Sequence, residues 1–572
     1  MNRRVRVIIT ATIVAFVVSA LGASQYGLLP VASARPQHKL VAAAKPPKST
    51  TTTRAATTTT RAATTTTAGP TTTTAAPTTT AGPTTTTTPP TGCTGVSVLP
   101  TQDLGAVMAA NPAGTTYCLQ PGTHRVTTRS GLLPETGDTF QGVGQNAIVS
   151  GSKTLTGWTA SGSDFVANGF LTSVAPTYGP CIAGKPLCNQ PEDVWLDGNW
   201  LVPVQTRAEL AAGKVFLDYP GNKVYVRDNP AGHELEQSWA RRSFTGSAKN
   251  VSFKNFSVIN TASEGNMGTI DPGSGGTGWL LDHMDMRHNH GYGTGPGTDG
   301  DYTIRFSRVH ENGQDGLGGD GAGVVATDNE VFQNSYAGWD KVWDAGNKMG
   351  HTVNALVARN YVHDERGVGL WCDINCVNAT YADNYVKNAA AGGIMFEISC
   401  GSSIHDNVVV NSGTDQADLA NASIFISNSR GSEVYANKTF GGFRAIWAWE
   451  VDRPEATSTA CPEHHVKNLN VHDNQMDLNS TPPAWGAKVG LWTDSGDNTW
   501  FTGQNNRFQG NTYYDTTPGS DDWNWHTVTG QTYADTNPWT VWQGYGQDTT
   551  GSVLGSVPTP PAPPVLVVGP QP

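Results

Sequence analysis

Two acidic residues occupy the same position in consecutive copies of an internal repeat. Residues 369–374 read GLWCDI, and the next copy, at 393–398, reads GIMFEI. Side chains alternate between the two faces of a β-strand, so Asp373 and Glu397 point away from the apolar face. Neighbouring strands lie about 4.8 Å apart, and we therefore expect the two carboxyl groups side by side on adjacent coils. The same alternation places these residues inward: Leu370, Cys372 and Ile374 on one coil, and Ile394, Phe396 and Ile398 on the next.

Paired carboxyl groups at this spacing can act as an acid and a base. Two neighbouring carboxylates repel each other, so the second proton is harder to lose, and one protonated and one ionised carboxyl group is the state that a glycosidase uses. Retaining glycosidases hold these groups about 5–5.5 Å apart and inverting ones about 6.5–9.5 Å, so the strand spacing favours retention. Surface acids without function are the alternative, but like charges directly opposite in a sheet are destabilising.

Five further residues near this pair are candidate sugar-binding residues. Trp371 lies beside the pair and can stack on a sugar ring. Asp344 precedes the first acid by slightly more than one repeat and is expected to stack below it, while Lys348 can bind a hydroxyl or neutralise the acidic face. Trp447 and Trp449 flank one alanine, so both should project outward, either to stack on sugar or to pack beneath a loop.

Other polar clusters give weaker signals, and no cofactor is expected. His283, His288 and His290 have no accompanying Cys or carboxylate at metal-site spacing, so turn histidines are the favoured interpretation. Ca²⁺ is a second option, through oxygen ligands from Asp299, Asp301, Asp315 and Asp320, although ordinary turn acids have the same pattern.

An internal repeat sets the fold class. An Asn followed by an apolar residue recurs at nearly regular intervals, as at Asn360, Asn384 and Asn407, in a chain of short β-rich runs separated by Gly, Asn and Asp. This pattern predicts an all-β, right-handed parallel β-helix, in which each coil buries its inward side chains against the next. The Asn residues are expected to hydrogen-bond their copies above and below and to adopt the left-handed conformation of a turn.

The N-terminus has the features of a secretory signal. Arg3, Arg4 and Arg6 precede an apolar stretch at 7–21, and the small residues 32–34 (ASA) form a cleavage site. An uncleaved anchor is the alternative, but the stretch is short for a membrane span of about 20 residues. A secreted or extracellular protein is therefore expected.

Composition divides the rest of the chain. A tract of Thr, Ala, Pro and Gly follows the signal, has nothing to bury, and is typical of an O-glycosylated stalk that would hold the folded part at a cell wall. The predicted organisation is a signal peptide (1–34), a disordered linker (35–92), a β-helix (93–490) with an antiparallel β insertion at about 169–237, an aromatic-rich C-terminal cap (491–557) and a Pro-rich tail (558–572).

The eight cysteines predict disulfides. Their even number in a secreted chain favours a disulfide framework over a zinc site. Local pairing predicts the bridges Cys93–Cys118, Cys181–Cys188, Cys372–Cys376 and Cys400–Cys461.

The charge of the chain argues against nucleic acid as a partner. The chain has 36 Lys and Arg against 47 Asp and Glu, for a net charge of -11, and only 15% of its residues are charged. Phosphate affinity comes from basic side chains that displace counterions, so nucleic acid is not an expected partner. A polysaccharide or oligosaccharide is the expected one; glycan identity, linkage and oligomeric state stay open.

The site motifs resemble those of one enzyme family. GLWCD at 369–373 followed by MFEIS at 395–399 resembles the paired motif of the bacterial β-xylosidases of glycoside hydrolase family 120, which has Trp-Leu-Asp on one coil and an apolar-Val-Glu-Val strand on the next. That resemblance implies the pectin-lyase-like β-helix, with Asp373 as nucleophile and Glu397 as acid/base. Residues 344–347 read DAGN where relatives often read EAGG. Over residues 93–557 the chain also resembles secreted actinobacterial β-helix repeat proteins.

Three functions compete at this point. A retaining glycoside hydrolase is favoured. A polysaccharide lyase would need a Lys, Arg or His base, for which Lys348 and Arg366 are candidates, but the face holds more acid than base and would repel a uronate. A non-catalytic adhesin or wall-binding protein also suits the stalk, because fold alone does not determine function.

Overall fold

A computed structural model of the chain describes residues 92–172, 177–295, 301–340, 345–415, 421–451, 458–480, 487–493, 497–517, 519–525 and 536–572. The predicted signal peptide and all but the last residue of the predicted linker lie outside these residues, as do Asp299 and Asp344. No helix in the described part of the chain has the length and hydropathy of a transmembrane segment.

The first coils of the described chain are built from short strands and one helix. The helix α1 (Leu104–Ala109) begins after Asp103, whose side chain accepts hydrogen bonds from the first-turn amides, and it buries Leu104 and Met108 against the core. The strands are β1 (Val96–Val98), β2 (Thr116–Leu119), β3 (Gly122–Arg125), β4 (Thr139–Gly142) and β5 (Ala147–Ser150).

An eight-stranded, mostly antiparallel sheet interrupts the coils. It extends from residue 152 to residue 238, so it begins earlier than the predicted boundary at 169. A single 3₁₀ turn, Arg207–Glu209, stands in it. Its strands are β6 (Ser152–Thr154), β7 (Thr159–Ser161), β8 (Asp164–Asn168), β9 (Val194–Leu196), β10 (Asn199–Val204), β11 (Lys214–Asp218), β12 (Lys223–Val226) and β13 (Leu235–Ser238).

The remaining strands form one long stack of coils. In the middle of the stack these are β14 (Phe244–Gly246), β15 (Ser252–Lys254), β16 (Ser257–Ile259), β17 (Ile270–Pro272), β18 (Trp279–Asp282), β19 (Asp285–Arg287), β20 (Tyr302–Arg305), β21 (Arg308–His310), β22 (Leu317–Ala322), β23 (Val325–Thr327), β24 (Glu330–Phe332), β25 (Ala345–Val353), β26 (Leu356–Ala358), β27 (Tyr361–His363), β28 (Val368–Asp373), β29 (Val377–Ala382), β30 (Tyr385–Lys387) and β31 (Gly392–Glu397).

Strands and two short helices complete the C-terminal part of the stack. They are β32 (Cys400–His405), β33 (Val408–Val410), β34 (Ala422–Ser427), β35 (Arg430–Tyr435), β36 (Lys438–Phe440), β37 (Arg444–Glu450), β38 (Asn470–His472), β39 (Gln475–Asp477), β40 (Val489–Thr493), α2 (Thr499–Thr502), β41 (Arg507–Gln509), β42 (Thr512–Tyr514), β43 (Trp523–Asn524), α3 (Trp539–Gly544) and β44 (Ser552–Leu554).

From β20 to β43, each coil contributes one strand to each of three parallel ladders. The coil that starts at β28 continues through β29 and β30 and then returns to β31, which pairs with β28 in parallel. The site ladder, as we call it, contains β22, β25, β28, β31, β34, β37, β40 and β43. Inward side chains of these strands, such as Leu370 and Phe396, are completely buried in one continuous core. The predicted parallel β-helix is therefore confirmed.

An asparagine ladder runs along one corner of the stack. The amide nitrogen of Asn360 donates to Oδ1 of Asn384 at 3.0 Å, and Asn384 donates in the same way to Asn407 at 3.0 Å. The predicted contacts between copies are thus present. The left-handed residue of each corner is the one before the asparagine, for example Asp383 (φ 56°), because the asparagine itself begins the next run. The prediction that the repeated Asn adopts this conformation is therefore wrong at these coils.

The coils continue beyond the predicted end at residue 490. Strand β41 pairs with β38, and β42 with β39, so the predicted cap contributes further rungs. Its aromatic residues close the core, because Trp523, Trp525 and Trp542 are buried in it.

The Pro-rich tail packs back along the stack. The main-chain oxygen of Pro561 accepts a hydrogen bond from the Tyr385 hydroxyl at 2.8 Å, the Gly569 N–H donates to the Phe306 oxygen at 2.9 Å, and Asn255 Nδ2 donates to the Gln571 oxygen at 3.1 Å. Ten rungs separate β44 from β16, about 48 Å, and seventeen residues of extended polyproline chain span about 53 Å. Residues 558–572 therefore form a strap on the folded body, which the expectation of a simple tail did not include.

Candidate functional site

The two acids lie opposite each other on the site ladder. Strand β28 pairs with β31 so that Trp371 is opposite Met395 and Asp373 is opposite Glu397. The Asp373 side chain is 18% exposed, and Glu397 is half-buried. The predicted register of the acids is therefore confirmed, and both side chains lie on the outer face of the coils.

Each acid is followed by a left-handed residue that ends its strand. Ile374 has φ 59° and Ile398 has φ 39°. A β-branched residue in this region is a genuine outlier, and such strain concentrates at functional sites. The strands end at the acids, so Ile374 and Ile398 lie in a turn and do not join the main core. The prediction that both point inward is wrong for this reason.

Two disulfides flank this turn. Cys372 and Cys376 are bridged across it, and Cys400, which begins the strand after Glu397, is bridged to Cys461. The two bridges belong to adjacent rungs, since the Cys400 N–H donates to the Cys376 oxygen at 2.8 Å. The other two bridges are Cys93–Cys118 and Cys181–Cys188, so the structure contains the four expected local pairs.

The segment that carries Cys461 also covers the end of the acid strands. Nε2 of the buried His464 lies 3.0 Å from Oδ1 of Asn375, which stands inside the small disulfide ring. The backbone after Asp373 is thus held by a covalent bridge and by a neighbouring loop.

Lys348 touches both Trp371 and Asp373 on the next coil. It is in register with Trp371, and its Nζ lies 3.7 Å from the Trp371 ring centroid and 3.5 Å from Oδ2 of Asp373. Trp371 is only 5% exposed and packs in an outer apolar cluster with Met395 and Phe425. Its ring therefore supports the ammonium group by a cation–π contact, and the expected stacking of Trp371 on a sugar is wrong in this structure.

The residue beneath Asp373 is a glycine. Gly350 of β25 pairs with Asp373, and Asp320 of β22 pairs with Gly350. The predicted partner Asp344 lies outside the described residues, and the register places Gly350 where it was expected. The described column of outward positions thus runs Asp320, Gly350, Asp373 and Glu397.

His351 stands beside this column. Its Nδ1 lies 3.6 Å from Oδ2 of Asp320, and its backbone is left-handed (φ 53°). The pKa of His351 is raised because its ring N–H donates to the Asp320 carboxylate, and the charges of Asp320 and then of Asp373 act in the same direction against its partial burial. The imidazole is therefore within electrostatic reach of two of the acids.

Aromatic residues extend the column on the other side. Ser427 is opposite Glu397, and Trp449 is opposite Ser427. Trp449 is half-buried, with its ring 5.2 Å from that of Trp492. Trp447 does project to the outer face, but it is completely buried there, so the expectation that it stacks on sugar is wrong and it packs instead.

The histidines named as metal candidates have separate partners. His283 bonds Asp282 at 2.7 Å, the His288 ring stacks on Trp195 at 4.4 Å, and His290 is buried. Nδ1 of His290 lies 2.9 Å from Asp193 of the insertion, so it helps to dock the inserted sheet. In the described ranges, no three His, Cys, Asp or Glu side chains converge as a metal site would require.

Three comparisons with known proteins bear on the fold. Residues 272–440 match the family described as right handed beta helix region. A solved structure of XylC in complex with xylose is 14% identical and aligns with a TM-score of 0.53 over 80% of this chain and 83% of that one. The fold is a right-handed parallel β-helix. No curated protein sequence matches the chain.

Two further solved structures align with the chain at lower similarity. The catalytic unit of a GH87 α-1,3-glucanase from Streptomyces thermodiastaticus strain HF3-3 is 11% identical, with a TM-score of 0.39 over 84% of this chain and 72% of that one. The A-module of the mannuronan C-5 epimerase AlgE4 from Azotobacter vinelandii is 12% identical, with a TM-score of 0.37 over 72% and 88%.

Sequence reasoning missed Gly350, His351 and the place of Asp320 in the acid column. Asp320 was considered only as a turn acid or a Ca²⁺ ligand. The run KMGH at 348–351 could have revealed the glycine below Asp373. In this run Gly350 follows the outward Lys348 by two residues, just as Asp373 follows Trp371.

Proposed function

We propose that this protein is a secreted glycoside hydrolase that acts on an oligosaccharide or polysaccharide with retention of configuration. Asp373 is the nucleophile and Glu397 the acid/base. The observation that supports this most strongly is the direct pairing of Asp373 with Glu397 on adjacent outward strand positions. A strand spacing of about 4.8 Å fits the carboxyl separation of about 5–5.5 Å in retaining enzymes.

The proposed reaction has two steps. In the first, an Asp373 oxygen attacks the anomeric carbon while the protonated Glu397 donates its proton to the leaving glycosidic oxygen, so the C–O bond breaks and a glycosyl ester forms on Asp373. In the second, the ionised Glu397 takes a proton from water, and the water oxygen attacks the same carbon. The ester bond breaks, the sugar is released and Glu397 is protonated again.

Lys348 has a supporting role in this proposal. Its ammonium group, 3.5 Å from Asp373, offsets the charge of the nucleophile. The cation–π contact with Trp371 fixes the lysine in place. Trp371 thus acts on the site through Lys348.

The secreted location rests on the N-terminal signal pattern and on the four disulfides, which form and persist in oxidising compartments. In this proposal the Thr/Pro-rich tract at 35–92 tethers the enzyme near a cell wall. Nucleic acid is not among its proposed partners.

A panel of 4-nitrophenyl glycosides and plant and microbial polysaccharides tests the proposal. We expect release of nitrophenol or reducing sugar by the wild-type protein, and a loss of at least 1,000-fold in Asp373→Asn and Glu397→Gln. Glu433→Gln is the matched control, because Glu433 is an exposed acid on another ladder, one coil beyond that of Glu397. Azide should restore turnover of Glu397→Ala and yield a glycosyl azide of retained configuration.

Two outcomes would overturn the proposal. Full activity in either Asp373→Asn or Glu397→Gln would remove the acid pair from the chemistry. Products that absorb in the ultraviolet, without net uptake of water, would instead identify a polysaccharide lyase.

A further inference from the structure

One position in the column of outward side chains has no side chain. Gly350 lies between Asp320 and Asp373, and a Cβ placed on it would meet only the main-chain oxygen of Asp373, at 3.2 Å, among the described atoms within 4 Å. Among the described residues, this column therefore has no side chain of its own between Asp320 and Asp373, whose backbones are two rung spacings, about 10 Å, apart. We call this opening the Gly350 gap.

The roles proposed for the two acids give the substrate a direction. A nucleophile contacts the anomeric carbon of the sugar that will be transferred, and the acid contacts the oxygen that leaves. With Asp373 as nucleophile and Glu397 as acid, the transferred sugar lies on the Asp373 side of the pair, over the Gly350 gap. The leaving group then lies on the Glu397 side, toward Ser427 and Trp449.

The two ends of this path differ in chemistry. On the gap side, Asp320 offers acceptor oxygens and His351 offers a ring nitrogen. Nδ1 of His351 lies 3.6 Å from Oδ2 of Asp320. On the other side stands the half-buried Trp449, whose indole N–H has no acceptor among the described residues. A polar subsite for the transferred sugar thus faces an aromatic subsite for the leaving group.

We propose that the Gly350 gap is the subsite for the transferred sugar and that Asp320 and His351 bind its ring hydroxyls. The inference rests on the proposed hydrolase function and adds the orientation and class of substrate. Asp320 accepts hydrogen bonds from hydroxyl groups, and His351 donates one. The sugar in this subsite is uncharged, because a uronate carboxylate would lie between the carboxylates of Asp320 and Asp373, with Lys348 already engaged by Asp373.

Steady-state kinetics tests the inference. The substrate is 4-nitrophenyl β-D-xyloside or, if another 4-nitrophenyl glycoside of the panel is cleaved faster, that glycoside. The free monosaccharide, D-xylose in the first case, serves as a competitive inhibitor that occupies only the transferred-sugar subsite. We expect Gly350→Ala, which adds one methyl group to the gap, to raise KM at least tenfold. Asp320→Asn should raise KM about tenfold, since hydrogen bonds to charged groups are the stronger ones.

The inhibition constant of the monosaccharide separates binding from general damage. It should rise in Gly350→Ala and Asp320→Asn by the same factor as KM, while Glu433→Gln keeps wild-type constants and all variants keep the wild-type Tm within about 2 °C. Unchanged KM and inhibition constants in both Gly350→Ala and Asp320→Asn would overturn the subsite even if the acid variants are inactive. Active acid variants would instead overturn the proposed function.

Discussion

Removal of the Cys372–Cys376 disulfide should lower the kcat of this protein strongly while lowering its Tm by only a few degrees. The chain-entropy relation gives about 2 kcal/mol for a bridge between residues only 4 apart, and about 4 kcal/mol for the 61-residue separation of Cys400–Cys461. A folded body of about 480 residues has an unfolding entropy of about 1 kcal/mol per degree, so 2 kcal/mol lowers Tm by about 2 °C.

The effect on catalysis should be larger because this bridge closes the turn next to Asp373, the proposed nucleophile. It encloses Ile374 and Asn375, both left-handed, directly after Asp373. Without the bridge, Ile374 can relax to an ordinary conformation and shift the Asp373 carboxylate. A misplacement of about 1 Å costs on the order of 100-fold in rate. We expect kcat of Cys372→Ala/Cys376→Ala to fall about 10- to 100-fold.

The matched control is Cys181→Ala/Cys188→Ala in the insertion. These residues are 7 apart, so the same relation gives a similar loss of about 2 kcal/mol. Calorimetry and nitrophenol release, measured on both double variants, compare the two bridges directly. The reasoning is refuted if both variants lose similar stability and the Cys372/Cys376 variant keeps wild-type kcat.

Three further predictions concern the body of the molecule. Asn384→Ala leaves its buried hydrogen-bond partners in the asparagine ladder unsatisfied, which costs about 1–3 kcal/mol for each unsatisfied group. Calorimetry should therefore show a Tm lower by about 2–5 °C. Asn470 is only half-buried, so Asn470→Ala should leave the Tm almost unchanged. Deletion of 558–572 removes the strap; Tm should fall by a few degrees at unchanged kcat, and an unchanged Tm would contradict its packing role. Burial first, then the charge of a neighbouring arginine, lowers the pKa of His288 to about 4, so the unfolded chain binds the extra proton between about pH 6.5 and 4. Stability should therefore fall as pH falls through that window, and His288→Gln should flatten that dependence in thermal melts at pH 4 to 7.

The repeat and its alternation were enough to predict the register of the acid pair. Asp373 and Glu397 stand at equal positions in two copies of one motif, and the turn of the coil between the copies brings them into register. The asparagine ladder was predictable for the same reason, because identical residues stack when the coils have equal shape.

Register failed where the coils change length. The coil from Asp320 to Gly350 is longer than the coil from Gly350 to Asp373, because the corners between strands differ in length. The prediction of Asp344 assumed a coil of 29 residues before Asp373, whereas the coil below Asp373 has 23 residues and places Gly350 there. The backbone pairing shows that a glycine occupies the rung below the proposed nucleophile.

Alternation also predicts the face of the coil on which a side chain lies, but not whether neighbouring side chains bury it there. Trp371 and Trp447 both lie on the outer face, as predicted, yet they pack in a second apolar cluster there and are buried. Composition misled in a similar way at residues 558–572, since a Pro-rich segment without a core of its own can still bind along a finished surface.

The most direct test of the central claim is to trap the nucleophile. A 2-deoxy-2-fluoro glycosyl fluoride of the preferred sugar forms the ester but slows its hydrolysis, and peptide mass spectrometry then locates the bound sugar. Asp373 should carry the added mass in the wild-type protein and in Glu397→Gln. A label on any other residue, or an unlabelled protein that still cleaves its substrate, would contradict the account.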